Sequence, residues 1–300
     1  MKDKTKLFLE YRSLLYSVAY NMLGSSANAE DIVQETYLKW IEQEEKEITH
    51  IKAYLVKIVT NKCINYLSSL RITKEKYVGI WLPEPIPDNP ADNNYTNTHH
   101  ALSIGILVLL EKLTPQERAI FILRELFAFD YKEIADVFDK TQDSCRQLFK
   151  RAKDSLGSDA KRFRVDLKVH EKMMANFIEA TRSGNVEGLI KLLKEDIVLY
   201  ADGGGRSIPV NGQRLTAALK PVHGRDNVSR FIMSVVGKVL EFIPDFSSEI
   251  IITNGMPSII SYSGNMPVGL ASFEHDGHTI GNIYIQSNPD KLKRFIKQPL

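Results

Sequence analysis

Between Leu113 and Leu156 the chain carries side chains whose types and spacing suit contact with nucleic acid. Arg146, Gln147, Lys150 and Lys153 recur on one side of a helical repeat, with Cys145, Leu148, Phe149, Ala152 and Leu156 on the other. At about 100° per residue the four polar residues fall within a sector of roughly 120°. Arginine and lysine can donate to guanine acceptors and glutamine can pair with adenine, while the flanking Arg151 can neutralise a phosphate. Such a face fits a major groove. A solvated basic face on an ordinary amphipathic helix shows the same pattern, so the rest of the chain must separate the two readings.

The elements around this helix can be read from their ends. In Leu113-Thr114-Pro115-Gln116-Glu117-Arg118, Thr114 suits an N-cap, Pro115 the first helical position and Glu117 the reciprocal partner of a capping box. Ile134, Ala135, Val137 and Phe138 suit a short packing helix, and Thr141 with Asp143 can start the next one. The result is a helix-turn-helix. Upstream, residues 5–23 and 27–43 are helical by apolar spacing, with Gly24-Ser25-Ser26 between them, and a third helix runs from Ile51 to about Leu70. Leu55, Val59, Cys63 and Tyr66 line one side of it. Tyr54, Lys57, Asn61, Asn65 and Ser68 line nearly the opposite side, with Ile58 beside them. An aromatic ring, amides and a lysine in one stripe can stack an unpaired base, bond its edges and hold phosphate. A helix from His99 to Lys112 is expected to lead into the helix-turn-helix.

Length and composition admit several folded domains: 300 residues, 43% hydrophobic and 25% charged. The chain has no run of about 18 apolar residues and no signal-type start, which gives the expectation of a cytoplasmic protein without a membrane partner. Cys63 and Cys145 are the only cysteines, too few for a disulfide framework or a cysteine-rich zinc site, so no metal and no cofactor are expected. The net charge of +2 conceals segregation: residues 1–50 carry −3, residues 51–87 carry +4 and residues 141–168 carry +4. Two basic blocks and one acidic block suit two nucleic-acid contacts and a separate protein contact.

Residues 79–90 are too proline-rich for a helix and read as an extended linker, yet Trp81, Leu82 and Ile86 are large apolar groups that bury themselves against something. Beyond Lys161 the pattern changes. Helical stretches Glu171–Thr181 and Val186–Leu193 precede a strand at Ile197–Tyr200, the turn Asp202-Gly203-Gly204-Gly205 and a helix near Asp226–Val239. Four short strands follow at 249–253, 258–262, 269–273 and 279–285. Helices followed by an antiparallel sheet make an α+β domain with room for a hollow. Tyr200, Asp202, Arg206, His223, Tyr262, His275 and His278 are its scattered polar candidates; no spacing among them marks a nucleophile and base or a metal triad, and His275 and His278 suit an exposed turn.

The motifs point to a family. Ala29-Glu30-Asp31-Ile32-Val33-Gln34-Glu35-Thr36-Tyr37 in the second helix, Ala53-Tyr54-Leu55 and Asn61 in the third, and Leu113 to Arg118 with Arg146 and Arg151-Ala152 occur in the order found in extracytoplasmic-function sigma factors, which the first 160 or so residues resemble. The resemblance implies that Asp31, Gln34 and Glu35 contact core polymerase and that Tyr54, Lys57, Asn61 and Asn65 capture the melted −10 strand. It also implies that the helix-turn-helix reads the −35 element through Arg146, Gln147, Lys150 and Arg151. Trp81-Leu82-Pro83-Glu84-Pro85, Asp202-Gly203-Gly204-Gly205-Arg206 and Asn288-Pro289-Asp290-Lys291-Leu292 look like the three motifs of the ECF41 group, whose fused C-terminal domain is similar to the SnoaL-like branch of the NTF2-like fold.

The expected architecture is therefore multidomain. An all-α sigma region 2 spans 1–77, a proline-rich linker 78–98, a helix-turn-helix region 4 spans 99–160, and an α+β NTF2/SnoaL-like cone with a C-terminal tail spans 168–300. The implied function is an alternative sigma factor, not an enzyme. Its implied partners are promoter DNA and core RNA polymerase, through the largest-subunit clamp coiled coil and the flap, with no separate anti-sigma factor required. The C-terminal pocket is a candidate site for a small ligand. A sigma factor needs its two DNA-reading regions at the promoter spacing, so the C-terminal domain is expected to lie between them, with the 202–206 loop meeting the linker, Arg206 pairing with Glu84, and the 288–292 tail completing the clasp. Two other classes remain open at this stage. One is a SnoaL-like isomerase or hydrolase with a regulatory DNA-binding front end, using Asp202 or His223 as acid or base; the other is a single-site repressor or activator using only residues 113–156.

Overall fold

The computed structural model describes residues 4–43, 48, 50–74, 77–88, 101–157, 167–205, 207–210, 213–243 and 245–297, with side chains described outside 70–74 and 207–216. The chain forms two compact units. One comprises residues 1–75, 88–102 and 107–161, the other residues 76–87, 103–106 and 162–300.

The first unit is helical. Helix α1 (Lys4–Leu23) ends where Gly24 adopts a left-handed conformation, and Ser25 caps α2 (Ser26–Glu42) by accepting from the Asn28 amide. With α3 (Ile51–Lys74) they form a core in which Leu15, Val18, Met22, Val33, Leu55, Val56, Val59 and Cys63 are all buried. A short helix, α4 (Ile104–Leu109), leads through a tight turn at Leu110–Lys112 into α5 (Pro115–Phe121). The expected helix start at His99 is not observed: residues 99–100 lie outside the described set, Ala101 to Ser103 are non-helical, and the Ser103 hydroxyl accepts from the Ile106 amide as a cap.

The capping box of α5 is present in both directions, and α6 (Tyr131–Phe138) carries a second one, Asp130 with Glu133. Asp139, at φ 51°, turns the chain into α7 (Gln142–Leu156), whose first amides are capped by Thr141. Arg118 is buried at 4% exposure. Its guanidinium donates to the Leu110 carbonyl, to the Met22 carbonyl at the end of α1 and to Glu111. That charge on the last turn of α1 complements the helix dipole and satisfies a carbonyl the helix cannot. The two helical regions therefore meet each other directly, α1 and α3 touching α5 and α6, where the sequence suggested that they stand apart.

The second unit holds α8 (Leu167–Arg182), α9 (Val186–Leu192), β1 (Leu193–Asp202), β2 (Ser207–Val210), β3 (Gln213–Thr216), β4 (Val222–His223), α10 (Arg225–Phe242), β5 (Phe246–Thr253), β6 (Met256–Ser263), β7 (Met266–His275), β8 (Ile280–Gln286) and α11 (Pro289–Leu292). The sheet order is β4-β1-β8-β7-β6-β5, with β1 and β8 parallel and the other pairs antiparallel, while β2 and β3 form a separate hairpin. Met174, Phe177, Leu189 and Val228 from the helices pack on Leu199, Ile259, Phe273 and Ile283 from one sheet face. Ile260, Tyr262 and Leu270 pack with Leu292 and Phe295 from the tail. The period-2 alternation of strands makes both faces apolar. The hairpin β2–β3 and strand β4 were not anticipated, although Asn211-Gly212 in the sequence is a strong two-residue turn signal.

Candidate functional site

On α7 the apolar stripe lies inside and the basic one outside. Cys145, Leu148, Ala152 and Leu156 are buried, Phe149 is half-buried against Phe121, and Arg146, Gln147, Lys150, Arg151 and Lys153 are exposed. Arg146 pairs with Asp143 on its own helix and lies over the Tyr131 ring, and Lys153 reaches Glu125. These are exposed pairs, each worth at most about 1 kcal/mol, so a phosphate or base edge can displace them.

The polar stripe of α3 divides in two. Asn61 and Asn65 are exposed. Tyr54 and Lys57 are partly covered: the Tyr54 hydroxyl donates to Gln43 and its ring lies near Trp40, while Lys57 pairs with Asp139, the residue that turns α6 into α7. Close by, the Lys52 ammonium sits 4.4 Å from the centre of the Phe129 ring. On α2, Asp31, Gln34 and Glu35 all face solvent, and Glu35 pairs with Lys62. Leu38, one turn further on, is 59% exposed, an apolar group continuous with that acidic face. Sequence reasoning passed over Leu38, and its placement opposite buried Val33 and Trp40 in the helical repeat was the available signal.

The second unit contains a polar knot built from the three short motifs. Asp202, at the end of β1, is fully buried. Its Oδ1 accepts from the Tyr77 hydroxyl at 2.6 Å and the Gly204 amide at 2.9 Å. Its Oδ2 accepts from the Leu82 amide at 2.9 Å and the Lys291 ammonium at 2.7 Å, with the Gln286 amide at 3.5 Å. Lys291 also donates to the Leu82 carbonyl and lies 4.5 Å from the centre of the Trp81 ring. Gln286 donates to the Pro83 carbonyl, and Asn288 donates to the Tyr77 hydroxyl while capping α11 through the Asp290 amide. Pro83 and Pro85 are buried, as are Leu82 and Ile86. Residues 77–87 are thereby fastened to the sheet, at their far end by reciprocal bonds between Ile86 and Asn254.

Glycine is required at two positions of the loop. Gly204 and Gly205 have φ of 64° and 69°, and a Cβ there would lie 2.6 Å from Asn288 and 2.9 Å from Val78 respectively. Gly203 is half-buried between them and Asp202. The expected Arg206–Glu84 pair falls partly outside the described residues, since Arg206 is among those not described; Glu84 faces Arg294 at 3.9 Å. The ion pair at the centre of the knot is Asp202 with Lys291.

A cavity of about 200 Å³ lies in the same unit, walled by Phe177, Phe231, Val235, Val239, Ile259 and Ile283 among others. None of Tyr200, Asp202, His223, Tyr262, His275 and His278 lines it. Strand alternation explains the outcome: Ala201, Ile283, Ile285 and Ser287 face the cavity, while Tyr200, Asp202, Tyr284 and Gln286 face away. His275 is half-buried, contrary to its expected exposure, and its Nε2 meets Nδ1 of the buried His170 at 2.9 Å. Burial, and then the neighbouring His275, lower the His170 pKa to about 4; burial also lowers that of His275. Among the described residues, no group of three or more His, Cys, Asp or Glu could hold a metal ion, and no helix is long and apolar enough to cross a membrane.

Comparison with known proteins places these features. Residues 7–72 match the family profile of Sigma-70 region 2 and residues 104–156 that of Sigma-70 region 4. A capped helix-turn-helix stands in the second match and a three-helix core in the first, so the chain carries regions 2 and 4 of the sigma-70 type. Along nearly its whole length it is similar to extracytoplasmic-function sigma factors. It is 28% identical over 299 residues to the ECF RNA polymerase sigma factor SigJ of Mycobacterium tuberculosis (strain ATCC 25618 / H37Rv), covering 95% of this chain and 92% of the relative. It is 25% identical over 248 residues to the probable factor SigI of the CDC 1551 strain, covering 77% of this chain and 85% of SigI. The crystal structure of Mycobacterium tuberculosis SigJ superposes with a TM-score of 0.74 at 26% identity, over 98% of this chain and all of that one.

Proposed function

We propose that this protein is an alternative sigma factor that brings core RNA polymerase to a specific set of promoters and is regulated by its own C-terminal domain. One observation carries the DNA-reading part: α7 buries its apolar stripe and leaves Arg146, Gln147, Lys150 and Arg151 exposed, within a region matching Sigma-70 region 4. These residues contact the −35 element. Asn61 and Asn65, with Tyr54 and Lys57 once uncovered, contact the −10 strand. Asp31, Gln34 and Glu35, extended by Leu38, dock on the polymerase clamp, and region 4 meets the flap. The protein works in the cytoplasm.

Regulation follows from what is tied down. Lys57 is engaged by Asp139, so in this arrangement part of the −10 surface faces region 4 instead of DNA. The linker through which the two regions would separate is fastened along 77–87 by Asp202, Lys291 and Asn254. Releasing or retaining that segment sets whether the regions reach promoter spacing, and no separate anti-sigma protein is needed for it. An enzymatic reading loses its named acid and base, since Asp202 is committed to the linker and His223 is exposed on β4, neither in the cavity.

Run-off transcription with reconstituted core polymerase tests the proposal. Full-length protein and a chain ending at residue 160 should both direct initiation from a cognate promoter and should differ in yield. Equal yields would remove the regulatory role of the C-terminal domain, and initiation by neither would remove the sigma function.

A further inference from the structure

The cavity between α8, α10 and the sheet is shaped for a ligand that the sigma-factor function does not require. Its volume is about 200 Å³, far above the roughly 10–15 Å³ that holds one water. Water gains little there, because the hydroxyls in the wall are already bonded to protein. Thr181 donates to the Phe177 carbonyl, Ser248 and Ser261 bond to each other, and Ser287 donates to the Asp202 carbonyl. Among the described residues the rest of the wall is apolar apart from one cation, Arg182, at the end of α8. Arg182 is exposed, and among the described residues it has no ion-pair partner. The described wall therefore offers an apolar interior and the Arg182 guanidinium at its edge.

We propose that this cavity binds an amphipathic monocarboxylate, its hydrocarbon body among Phe177, Phe231, Val235 and Ile259 and its carboxylate on Arg182. Burial of the hydrocarbon supplies affinity through the area it removes from water. The planar guanidinium supplies selection of the acid over the neutral analogue through paired, charge-assisted hydrogen bonds. Among the described residues no lining residue is an Asp, Glu, His or Lys, so these residues hold the bound molecule without a group to exchange a proton with it.

Calorimetric titration of the full-length protein with dodecanoate, and with dodecanol as the uncharged analogue, reads this directly. Dodecanoate should bind one to one and several-fold more tightly than dodecanol. Arg182→Gln, on the surface, should bring dodecanoate down to the affinity of dodecanol and leave dodecanol unchanged. Val236→Trp, which fills the cavity, should abolish binding of both while far-UV circular dichroism stays as in the parent. Absence of saturable binding by the parent overturns the site, as does binding that survives Val236→Trp in a folded protein. An Arg182→Gln variant that holds dodecanoate as tightly as the parent overturns the assignment of the carboxylate.

Discussion

Asp202 and Lys291 are both withdrawn from water, at 0% and 13% side-chain exposure, so removing one leaves the other charge buried and uncompensated. Asp202→Ala strands the Lys291 ammonium together with the Tyr77 hydroxyl and the Leu82 amide. It should cost on the order of 3–5 kcal/mol in denaturant unfolding of the C-terminal unit. Adding Lys291→Met to it should recover part of that loss, because the stranded charge goes too. The same burial argument governs His170. Its pKa is depressed to about 4 in the folded chain from an ordinary 6.5, so the unfolded chain takes up the proton first as pH falls. Stability is complete above about 6.5 and declines as pH falls towards 4, by roughly 2–3 kcal/mol from this residue. A series of thermal melts between those limits should slope accordingly, and His170→Phe should flatten it. Neither feature was readable beforehand. Arg206–Glu84 and Lys291–Asp202 are equally good charge matches in sequence, and only burial distinguishes them; His170 and His275 are 105 residues apart and meet through the packing of α8 on the sheet.

At the level of elements, local chemistry was legible where it acts over three or four residues. The Thr114–Glu117 box, the Thr141 cap and the buried and exposed sides of α7 follow from spacing alone. Thr114→Ala should cost about 1 kcal/mol, measurable as a lowered denaturation midpoint of the helical unit. Arg146→Ala should weaken promoter-duplex binding by about 1–3 kcal/mol and relax preference at one base pair, whereas Lys150→Ala should weaken all sequences alike and reduce the salt dependence. A binding-site selection that returns the parent preference for the Arg146 variant would move Arg146 to phosphate contact. What spacing could not supply is any role set by a distant partner. Arg118 reads as an ordinary helix-surface arginine and is instead a buried tie to Met22 in α1, because a carbonyl 96 residues away needed a donor.

For the whole molecule, the contact between the two helical regions combines a buried tie with a weak one. Arg118 makes three hydrogen bonds out of solvent, whereas Lys57 and Asp139 are 34% and 75% exposed and contribute at most about 1 kcal/mol. Asp139→Asn keeps a residue type that tolerates the left-handed turn while removing the charge. It should leave the melting temperature nearly unchanged and tighten binding of a single-stranded −10 oligonucleotide by several-fold, read by fluorescence anisotropy. An affinity equal to the parent's would mean that Lys57 is not withheld by this pair. The domain order was legible because each region carries its own periodicity, but the direct meeting of the helical regions was not, since it depends on side chains far apart in the chain.

Strand β8 has a further consequence for how this protein tolerates change in length. Ile283 and Ile285 belong to the cavity wall and Gln286 to the group around Asp202, on opposite sides of one ribbon. Losing or gaining a single residue within 280–286 would turn the ribbon over, sending a primary amide into hydrocarbon and an isoleucine into a bed of charges. Alterations there are survivable only in pairs, and homologous chains should differ across this strand by even numbers of residues or by none.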